Sequence, residues 1–356
     1  MSKVSLTKKE KLTLYGLTRY PEKNDRQLAS LIDLKMSTVT AIRRRLLHRD
    51  FFFTVRVPVM PYLGCEILRI AYGNFAVNLN ESMRKASNAY FLDNLAETFF
   101  AISTNHSSLS MSIVPNYYTA KKGVDEFEIF CGKHSLMEGS KFAYKFFPFE
   151  ITKIYNNFGF APLLKRTFKL DLPEPDINAQ IIKPQQTYLT NLEKVILYAL
   201  VKYPDFPDNK IAQKVGVSRQ AIAKIRKKFE NKGIIRQANI PNLLKLGFEL
   251  FVFSHFTFKP NIPKHIKEYA LKYLIRETQN VFMVSSAYET LTLDVYANYN
   301  QYDLQAEKVK SFFKTHHMLL STPKSMIFPI KDLKIFKNHE YTALVKKNLG
   351  IERDIN

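Results

Sequence analysis

The sequence predicts an α+β chain in which two winged helix-turn-helix heads alternate with two ferredoxin-like domains of strand and helix order βαββαβ. Three observations in these 356 residues predict it: an internal repeat, two basic windows that coincide with the repeat, and the same order of patterns behind each window. The predicted bounds are 1–64 and 188–247 for the heads, 65–170 and 248–356 for the ferredoxin-like domains, and 171–187 for a proline-bearing linker.

The internal repeat lies at an offset of 183 residues and needs no gap over its best-matched part. Windows 6–64 and 189–247 share 16 identical residues in 59 positions, against roughly one in sixteen expected from ordinary composition. Weaker similarity continues to the end of each copy, where Lys153–Asn157 parallels Lys334–Asn338. The whole chain is therefore interpreted as a tandem duplication.

The positive charge is concentrated in the same two windows. The chain has a net charge of +21 at pH 7. Window 6–64 holds twelve Lys and Arg against five Asp and Glu, and window 189–247 holds twelve against four. A basic patch confined to two segments indicates a polyanionic partner such as double-stranded DNA, rather than a general contribution to solubility.

Helix signals open each head. A capping-box pattern predicts the start of the first helix, at Thr7 with Glu10 and at Thr190 with Glu193. The second helix is expected to begin at Asp25 or Asp208, since aspartate is a good N-cap residue. A tight turn is expected at Asp33 and at Gly216, because both residue types tolerate a left-handed backbone.

The third helix of each head is predicted to contact DNA. Its apolar residues recur at helical spacing, so one stripe is buried and the opposite face is free. On that free face small or hydrogen-bonding side chains come first and cations follow, as a recognition helix needs for base edges and then phosphates. The candidates are Ser37, Thr38, Thr40, Arg43, Arg44 and Arg45 in the first head, and Arg219, Gln220, Lys224, Arg226, Lys227 and Lys228 in the second. The alternative is a solvated charged face, the usual role of a Lys/Arg run.

A short strand pair is predicted after each third helix as the wing of the head. The two pairs are expected within residues 51–57 and 234–240. Two cations of these segments, Arg56 and Arg236, could contact phosphate from there. The alternative for both is an ordinary surface cation.

Behind each head, strand and helix patterns follow in the order βαββαβ, which predicts a ferredoxin-like sandwich. In the first copy the strands are expected at 66–77, 98–103, 109–114 and 142–155, and the helices at 80–96 and 120–133. In the second copy the strands are expected at 248–258, 281–286, 290–296 and 325–336, and the helices at 264–278 and 303–315.

The end of the second head resembles the Lrp/AsnC family of transcription regulators. The residues that carry the resemblance are Phe229–Ile235, Ile240–Pro241, and the Leu246–Gly247 pair that leads into the next domain. The first head is less similar, because Asp50-Phe51-Phe52 replaces the Gly-Ile-Ile run. The resemblance implies that the heads bind DNA and that the ferredoxin-like domains dimerise and bind an effector. Two copies in one chain then suggest an internal pseudo-dimer, and a homodimer stays open.

The amino-acid effector site that the resemblance implies is expected to be altered. In the family, the loop between the second and third strands carries a glycine and an acidic residue. The corresponding stretches here are 103–107 and 285–289, and neither contains the glycine. These loops are therefore interpreted as ordinary turns, and the small-molecule effector, if one binds, is unknown.

The function expected from the sequence is sequence-specific regulation of transcription, with the recognition helices in the major groove. Because the two helices differ, an asymmetric or pseudo-palindromic site is expected, with Arg219 on guanine and Gln220 on adenine. One alternative is a nucleoid-organising protein of low sequence specificity. The other is a decarboxylase-type enzyme on the Lrp-like fold, for which the candidate residues are His106, His134, His316 and His317.

The sequence predicts that the chain is not an enzyme and that it uses no cofactor or metal. It shows no metal-ligand spacing, no Gly-rich phosphate loop after a strand and no nucleophile–base set. His134 and His316 match between the copies, but both fall near a helix end, where a cation is favourable for ordinary reasons. The two cysteines, Cys65 and Cys131, do not occupy matching positions, so no disulfide framework is expected. No stretch has the length of a membrane span, and a cytoplasmic, nucleoid-associated protein is expected.

Overall fold

The computed structural model describes residues 6–76, 83, 85, 89–90, 96–137, 141–173, 178–352 and 354–355. The helix predicted at 80–96 therefore lies largely outside the described residues. The α+β class is confirmed, with helices and antiparallel sheets. Among the described residues, no helix is long and apolar enough to cross a membrane.

The chain folds into two compact units, and each unit takes segments from both sequence copies. Unit 1 comprises residues 1–53, 152–181 and 239–332, and unit 2 comprises 54–151, 182–238 and 333–356. Unit 1 therefore contains the head of the first copy and the ferredoxin-like domain of the second. Unit 2 contains the reverse combination.

The elements are numbered here in chain order. The helices are α1 (Lys8–Arg19), α2 (Asp25–Leu31), α3 (Met36–His48), α4 (Tyr117–Lys133), α5 (Ala161–Phe168), α6 (Asn191–Lys202), α7 (Asp208–Val215), α8 (Arg219–Asn231), α9 (Lys264–Glu277), α10 (Tyr299–His316) and α11 (Thr342–Asn348). The strands are β1 (Phe52–Pro58), β2 (Ile67–Asn74), β3 (Thr98–Ser103), β4 (Ser107–Val114), β5 (Phe142–Pro148), β6 (Lys153–Asn157), β7 (Ile235–Pro241), β8 (Leu250–Thr257), β9 (Asn280–Ser285), β10 (Glu289–Tyr296), β11 (Lys324–Pro329) and β12 (Lys334–Asn338).

Both heads are three-helix bundles whose first helix begins with the predicted capping box. At α1 the Thr7 side chain accepts a hydrogen bond from the Glu10 N–H, and the Glu10 carboxylate accepts one from the Thr7 N–H. The same exchange begins α6. The predicted turns are also confirmed, because Asp33 has a φ of 50° and Gly216 a φ of 75°.

The second helix of each head has its N-cap one residue earlier than predicted. Asn24 caps α2 by accepting from the Gln27 N–H, and Pro207 occupies the N-cap position of α7. The predicted caps, Asp25 and Asp208, are the first helical residues instead. Their carboxylates are therefore free to bind the third helix of the same head.

The wing prediction is wrong. Each head has one strand after its third helix, and these strands, β1 and β7, pair with each other in a two-stranded sheet. Within unit 1 the Asn242 N–H donates to the Phe51 carbonyl, and within unit 2 the Val59 N–H donates to the Ile234 carbonyl. Neither segment contains the Asn-Gly, Asp-Gly or Gly-X dipeptide of a tight hairpin, so neither folds back on itself.

Each ferredoxin-like domain supplies four strands to a five-stranded sheet, and the fifth strand comes from the end of the other copy. The strand order is β11-β8-β10-β9-β6 in unit 1 and β12-β3-β4-β2-β5 in unit 2. The extended segments predicted at 142–155 and 325–336 are thus two strands each. Pro148 and Pro329 end β5 and β11, because proline has no N–H to continue the ladder. Below, the first ferredoxin-like domain means β2–β5 with α4, and the second means β8–β11 with α9 and α10.

Candidate functional site

The second ferredoxin-like domain contains a cavity of about 610 Å³ between its sheet and its two helices. Successive strand residues point to opposite faces, so β8 and β10 present alternate side chains to this space. Those on the floor are Val252, Ser254, Thr292 and Asp294, and the apolar walls include Phe256, Leu274 and Phe313. The volume is in the range of sites that bind small molecules and cofactors.

Asp294 lies on the cavity floor and is 4% exposed. Its Oδ1 accepts hydrogen bonds from the Thr278 hydroxyl at 2.6 Å and the Asn280 amide at 3.2 Å, and its Oδ2 accepts one from the Thr292 hydroxyl at 2.9 Å. Burial raises the pKa of Asp294, although these three hydrogen bonds act in the opposite direction. A carboxyl group in this environment keeps its proton to a higher pH than an exposed aspartate does, and it can act as an acid.

The Thr278 hydroxyl has a geometry that suits a protonated Asp294. It has two oxygen neighbours, the Leu274 carbonyl at 2.9 Å and Asp294 Oδ1 at 2.6 Å. A hydroxyl group can donate only one hydrogen bond at a time. When it donates to the Leu274 carbonyl, the short contact with Asp294 requires a proton on the carboxyl group.

The cavity also has cationic side chains, which lie on α10 and the segments around it. Lys259, Lys310, Lys314 and His317 line the cavity, and the last three are solvent-exposed. Lys310 contacts Glu307 at 3.3 Å, but a pair this exposed contributes little and is easily exchanged for a ligand. The arrangement therefore favours an anionic ligand with an apolar body.

In the described part of the first ferredoxin-like domain, the side chain of Arg69 occupies the equivalent place beside the sheet. Arg69 and Ser112 are partners across β2 and β4, where Val252 and Asp294 are partners across β8 and β10. The Arg69 guanidinium is buried and donates to the Ala120 carbonyl and the Ser112 hydroxyl, each at 3.2 Å. Among the described residues, a cavity of about 30 Å³ lies beside it.

Gly123 of α4 makes room for the Arg69 side chain. A Cβ at this position would lie 2.5 Å from Arg69 Nη1. The repeat places Gln305 of α10 at the equivalent position of the second domain, where it lines the open cavity. Two pairs of residues, Arg69 with Gly123 and Val252 with Gln305, therefore distinguish the filled copy from the open one.

The predicted DNA-contact residues of the first head are partly held by their own head. Arg43 forms an ion pair with Asp25 at 2.7 Å, and the Thr40 hydroxyl donates to the same carboxylate at 2.7 Å. Arg45 forms an ion pair with Glu10 at 2.9 Å. The remaining candidates are Thr38, which is half-buried, and Ser37 and Arg44, which are exposed.

In the second head, two of the predicted cations are held in the same way and the others are exposed. Arg226 donates two hydrogen bonds to Asp208, at 2.9 and 3.0 Å, and Lys228 forms an ion pair with Glu193. Five candidates are exposed and make no hydrogen bond or ion pair with the residues that the structure describes; they are Arg219, Gln220, Lys224, Lys227 and Arg236. Arg56, the other cation of the predicted wings, is half-buried.

Of the four histidines considered for catalysis, His317 lines the cavity. His134 and His316 lie at the ends of α4 and α10, where their rings pack against Phe130 and Phe312 with centroids 4.5 and 4.7 Å apart. His106 is exposed in the turn before β4. No group of three or more His, Cys, Asp and Glu residues that could hold a metal ion occurs among the described residues.

The sequence interpretation missed Asp294 and the three lysines. The signal for Asp294 lies in the structure and not in the sequence, because the alternation from Thr290 to Asp294 predicts a half-exposed strand and yet all of these residues are buried. A polar face that is buried marks a strand whose side chains line an internal site. The lysines lie on a surface helix and a loop, where charge is ordinary, so the sequence offers no comparable signal for them.

No family model and no curated protein matches this chain, but solved structures match its fold. The siroheme decarboxylase NirDL matches with a TM-score of 0.54 and 11% identity, over 95% of this chain and 98% of that one. Its complex with an iron-uroporphyrin III analogue gives 0.54 and 11%, over 96% and 100%. AsnC from Escherichia coli gives 0.33 and 19%, over 40% of this chain and 93% of its own.

At these low identities the matches show similarity of fold only. For NirDL that similarity extends over 95–96% of this chain. The AsnC match covers less than half of this chain, and its TM-score is too low to support a statement about function. The expectation that the chain is not an enzyme is contradicted, because the structures that match it over nearly its full length are those of an enzyme. The fold of the chain is therefore similar to that of NirDL over nearly its full length.

Proposed function

We propose that this chain is a decarboxylase whose substrate is a carboxylated tetrapyrrole bound in the cavity of the second ferredoxin-like domain. The observation that carries the proposal is one cavity that combines a buried carboxyl group of raised pKa, Asp294, with a set of cationic side chains. The full-length match to a siroheme decarboxylase supports the reaction class. The iron-uroporphyrin III analogue in the second matching structure supports the substrate class.

The cavity holds the substrate both by its apolar ring system and by its carboxylates. Val252 of the floor and the apolar walls, with Phe256 and Phe313, contact the ring system. Lys259 follows β8, while Lys310 and Lys314 lie one turn apart on α10, so carboxylates at different positions on the ring can meet separate cations. Charge-assisted hydrogen bonds of this kind fix the orientation of the substrate as well as its affinity.

The reaction breaks the bond between a side-chain methylene carbon and its carboxylate. CO₂ leaves, the electron pair stays on the carbon and is delocalised into the conjugated ring, and one proton must be added there. Asp294 is the acid that supplies this proton. The resulting carboxylate accepts hydrogen bonds from Thr278, Asn280 and Thr292 until it is protonated again. The apolar walls keep water from the reacting carboxylate, which favours the loss of CO₂ because the charge spreads in the transition state.

The proposal is tested by incubating the full chain with siroheme or iron-uroporphyrin III and following the product by mass spectrometry. The native protein is expected to remove CO₂. The substitution Asp294→Ser, which copies Ser112 of the first domain, is expected to lower the rate by at least about 100-fold while binding persists. Lys310→Met should weaken binding, whereas Lys308→Met, an exposed lysine of the same helix outside the cavity, should not. If neither siroheme nor iron-uroporphyrin III loses CO₂, the proposal is contradicted.

We also propose a second function, contact with double-stranded DNA through α8 of the second head. The observation that favours it is the exposed set of Arg219, Gln220, Lys224 and Lys227, none of which is held by a carboxylate among the described residues. The first head offers fewer free groups, since Arg43 and Arg45 are paired within it. The second head is therefore expected to contribute most of the affinity, on a site that is not a perfect palindrome.

Fluorescence anisotropy with duplex DNA at several salt concentrations tests this second function. Lys227→Ala should weaken binding to all sequences and reduce the salt slope by about one. The neighbouring Lys228→Ala is the control, and its effect should be smaller because that ammonium group already pairs with Glu193. Equal effects of the two substitutions, or affinity that hardly changes with salt, would count against DNA contact by this face.

A further inference from the structure

Unit 2 contains a separate cavity, which is lined by Arg56 of β1 and by two arginines of the second head. It has a volume of about 490 Å³ and lies in unit 2, where β1 and α8 approach the start of α7. Arg56 extends into it from β1, and Arg219 and Arg226 from α8. The other residues that line it are Phe206, Pro207, Asp208 and Asn209.

Arg56 is a half-buried cation with little to compensate its charge. Its Nη1 donates to the Leu200 carbonyl at 3.5 Å, a distance at which a hydrogen bond is weak. No carboxylate among the described residues forms an ion pair with it. Burial lowers the pKa of Arg56 and the neighbouring Arg226 lowers it further, while the carboxylates of Asp208, Glu230 and Asp205 act in the opposite direction without reversing the shift. A desolvated guanidinium in this situation is costly unless an anion joins it.

The groups around the other two arginines do not neutralise the charge of Arg56. Arg226 is held by Asp208, through hydrogen bonds of 2.9 and 3.0 Å, and by Glu230 at 3.0 Å. Those two carboxylates are therefore already engaged. Arg219 is exposed and makes no hydrogen bond or ion pair with the part of the chain that the structure describes.

The equivalent place in unit 1 is a natural control, because the duplication supplies the same frame with different side chains. Asn239 occupies the position of Arg56, and its amide donates to the Leu17 carbonyl at 2.9 Å, the counterpart of the Leu200 carbonyl. Met36 occupies the position of Arg219, and Arg43 that of Arg226. The backbone contact is thus retained in both units, while the guanidinium groups of Arg56 and Arg219 have no counterpart in unit 1.

We propose that this cavity binds a phosphoryl anion between Arg56, Arg219 and Arg226. Planar guanidinium groups match the oxygens of a phosphoryl group with paired N–H donors. A dianion also supplies the negative counter-charge that Arg56 lacks. The Asp208 carboxylate faces the same space but is covered by its two hydrogen bonds to Arg226. The phosphoryl group can belong to a small molecule or to the backbone of DNA.

Calorimetric titration of the full chain with inorganic phosphate and with pyrophosphate tests the site. Saturable binding at one site per chain is expected. Arg56→Asn, which copies Asn239 of unit 1 and keeps a donor for the Leu200 carbonyl, should weaken binding by at least about tenfold. Arg219→Met should also weaken it, and this exposed substitution gives a second answer if Arg56→Asn impairs folding. Lys232→Met, at the exposed end of the same helix and outside the cavity, should leave the affinity unchanged.

Competition with duplex DNA identifies the source of the phosphoryl group. If DNA displaces pyrophosphate and loses affinity on Arg56→Asn, the site takes a backbone phosphate. If DNA does not displace bound pyrophosphate, the site takes a small phosphorylated ligand. The proposal is overturned if the binding of neither pyrophosphate nor DNA depends on Arg56 and Arg219, or if the Arg56→Asn and Lys232→Met proteins bind both ligands equally well.

Discussion

Asp294 and Ser112 hold the same position in two copies of one domain, opposite Val252 in one case and Arg69 in the other. In the first domain Ser112 accepts a hydrogen bond from a permanent cation and shares a hydrogen bond with Thr98. In the second domain no such cation reaches the carboxyl group, and burial raises the pKa of Asp294. The two positions show how one pair of side chains decides whether the same backbone encloses an acid or a filled core.

Asp294→Asn should change how stability depends on pH. A carboxyl group whose pKa is raised on folding binds its proton more tightly in the folded state, so its stabilising effect is present below its ordinary pKa of 3.8. It is lost as pH rises from that value through the raised folded-state pKa. Asparagine resembles the neutral acid in shape and does not titrate, so this loss should be absent in the variant.

The measurement is the free energy of unfolding of both proteins by urea at a series of pH values. At pH 5 the two should differ by about 1 kcal/mol, and the difference should move in favour of the variant as pH rises. A difference that stays constant from pH 5 to pH 9 would mean that Asp294 does not titrate in this range. Such a result would remove the acid from the proposed reaction.

At the scale of elements, Arg69 of β2 fills the space that the second domain leaves open. Its guanidinium joins β2, β4 and the start of α4 through hydrogen bonds to Ser112 and Ala120. Burial lowers the pKa of Arg69, and the group is compensated by hydrogen bonds rather than by a direct ion pair. Such a residue stabilises its domain only as long as every hydrogen bond is made.

Arg69→Leu should therefore destabilise the protein by about 3 kcal/mol, since it leaves buried oxygen atoms without a donor and part of the space empty. Arg236→Leu, at an exposed position, is the matched control and should change stability by less than about 0.5 kcal/mol. Urea unfolding measures both. Decarboxylation should persist in folded Arg69→Leu protein, and a complete loss of activity there would place the site in the wrong domain.

The elements were largely predictable from the sequence, because the repeat displayed each local signal twice. The capping boxes and the βαββαβ order follow from residues close together in the chain. Two features did not follow. The pairing of β1 with β7 and the placement of β6 and β12 join segments far apart in sequence, and no local pattern specifies a distant partner. The cavity depends on the small side chain of Val252 facing Asp294, which is visible only once strand register is known.

The predicted DNA-contact residues were only partly free for the same reason, since a local pattern does not reveal partners that are distant in the sequence. The spacing placed them on the third helices, but it could not show that Arg43, Arg45, Arg226 and Lys228 meet carboxylates of their own head. A prediction based on charge alone therefore included cations that are already paired within their own head. The residues left unpaired on α8 are a smaller and better-defined set for mutagenesis.

At the scale of the whole molecule, neither sequence copy contains a complete unit. The sheet of unit 1 includes β6 from the first copy, and Ala161 and Leu164 of α5 join the core of the first head. The sheet of unit 2 includes β12 from the second copy. Fragments 1–173 and 178–356, expressed separately, should therefore be unfolded or strand-exchanged dimers, and co-expression should yield a 1:1 complex. Size-exclusion chromatography with thermal unfolding checks this, and two fragments that are each folded monomers with the native midpoint would contradict it.

The central claim is that one of two homologous domains holds the ligand, and the number of ligands bound per chain tests it most directly. Absorbance titration with iron-uroporphyrin III should give one equivalent for the native protein. Val252→Arg combined with Gln305→Gly copies Arg69 and Gly123 into the second domain, and this variant should bind none while it still unfolds cooperatively. Two equivalents in the native protein, or undiminished binding by the variant, would contradict the assignment of the cavity.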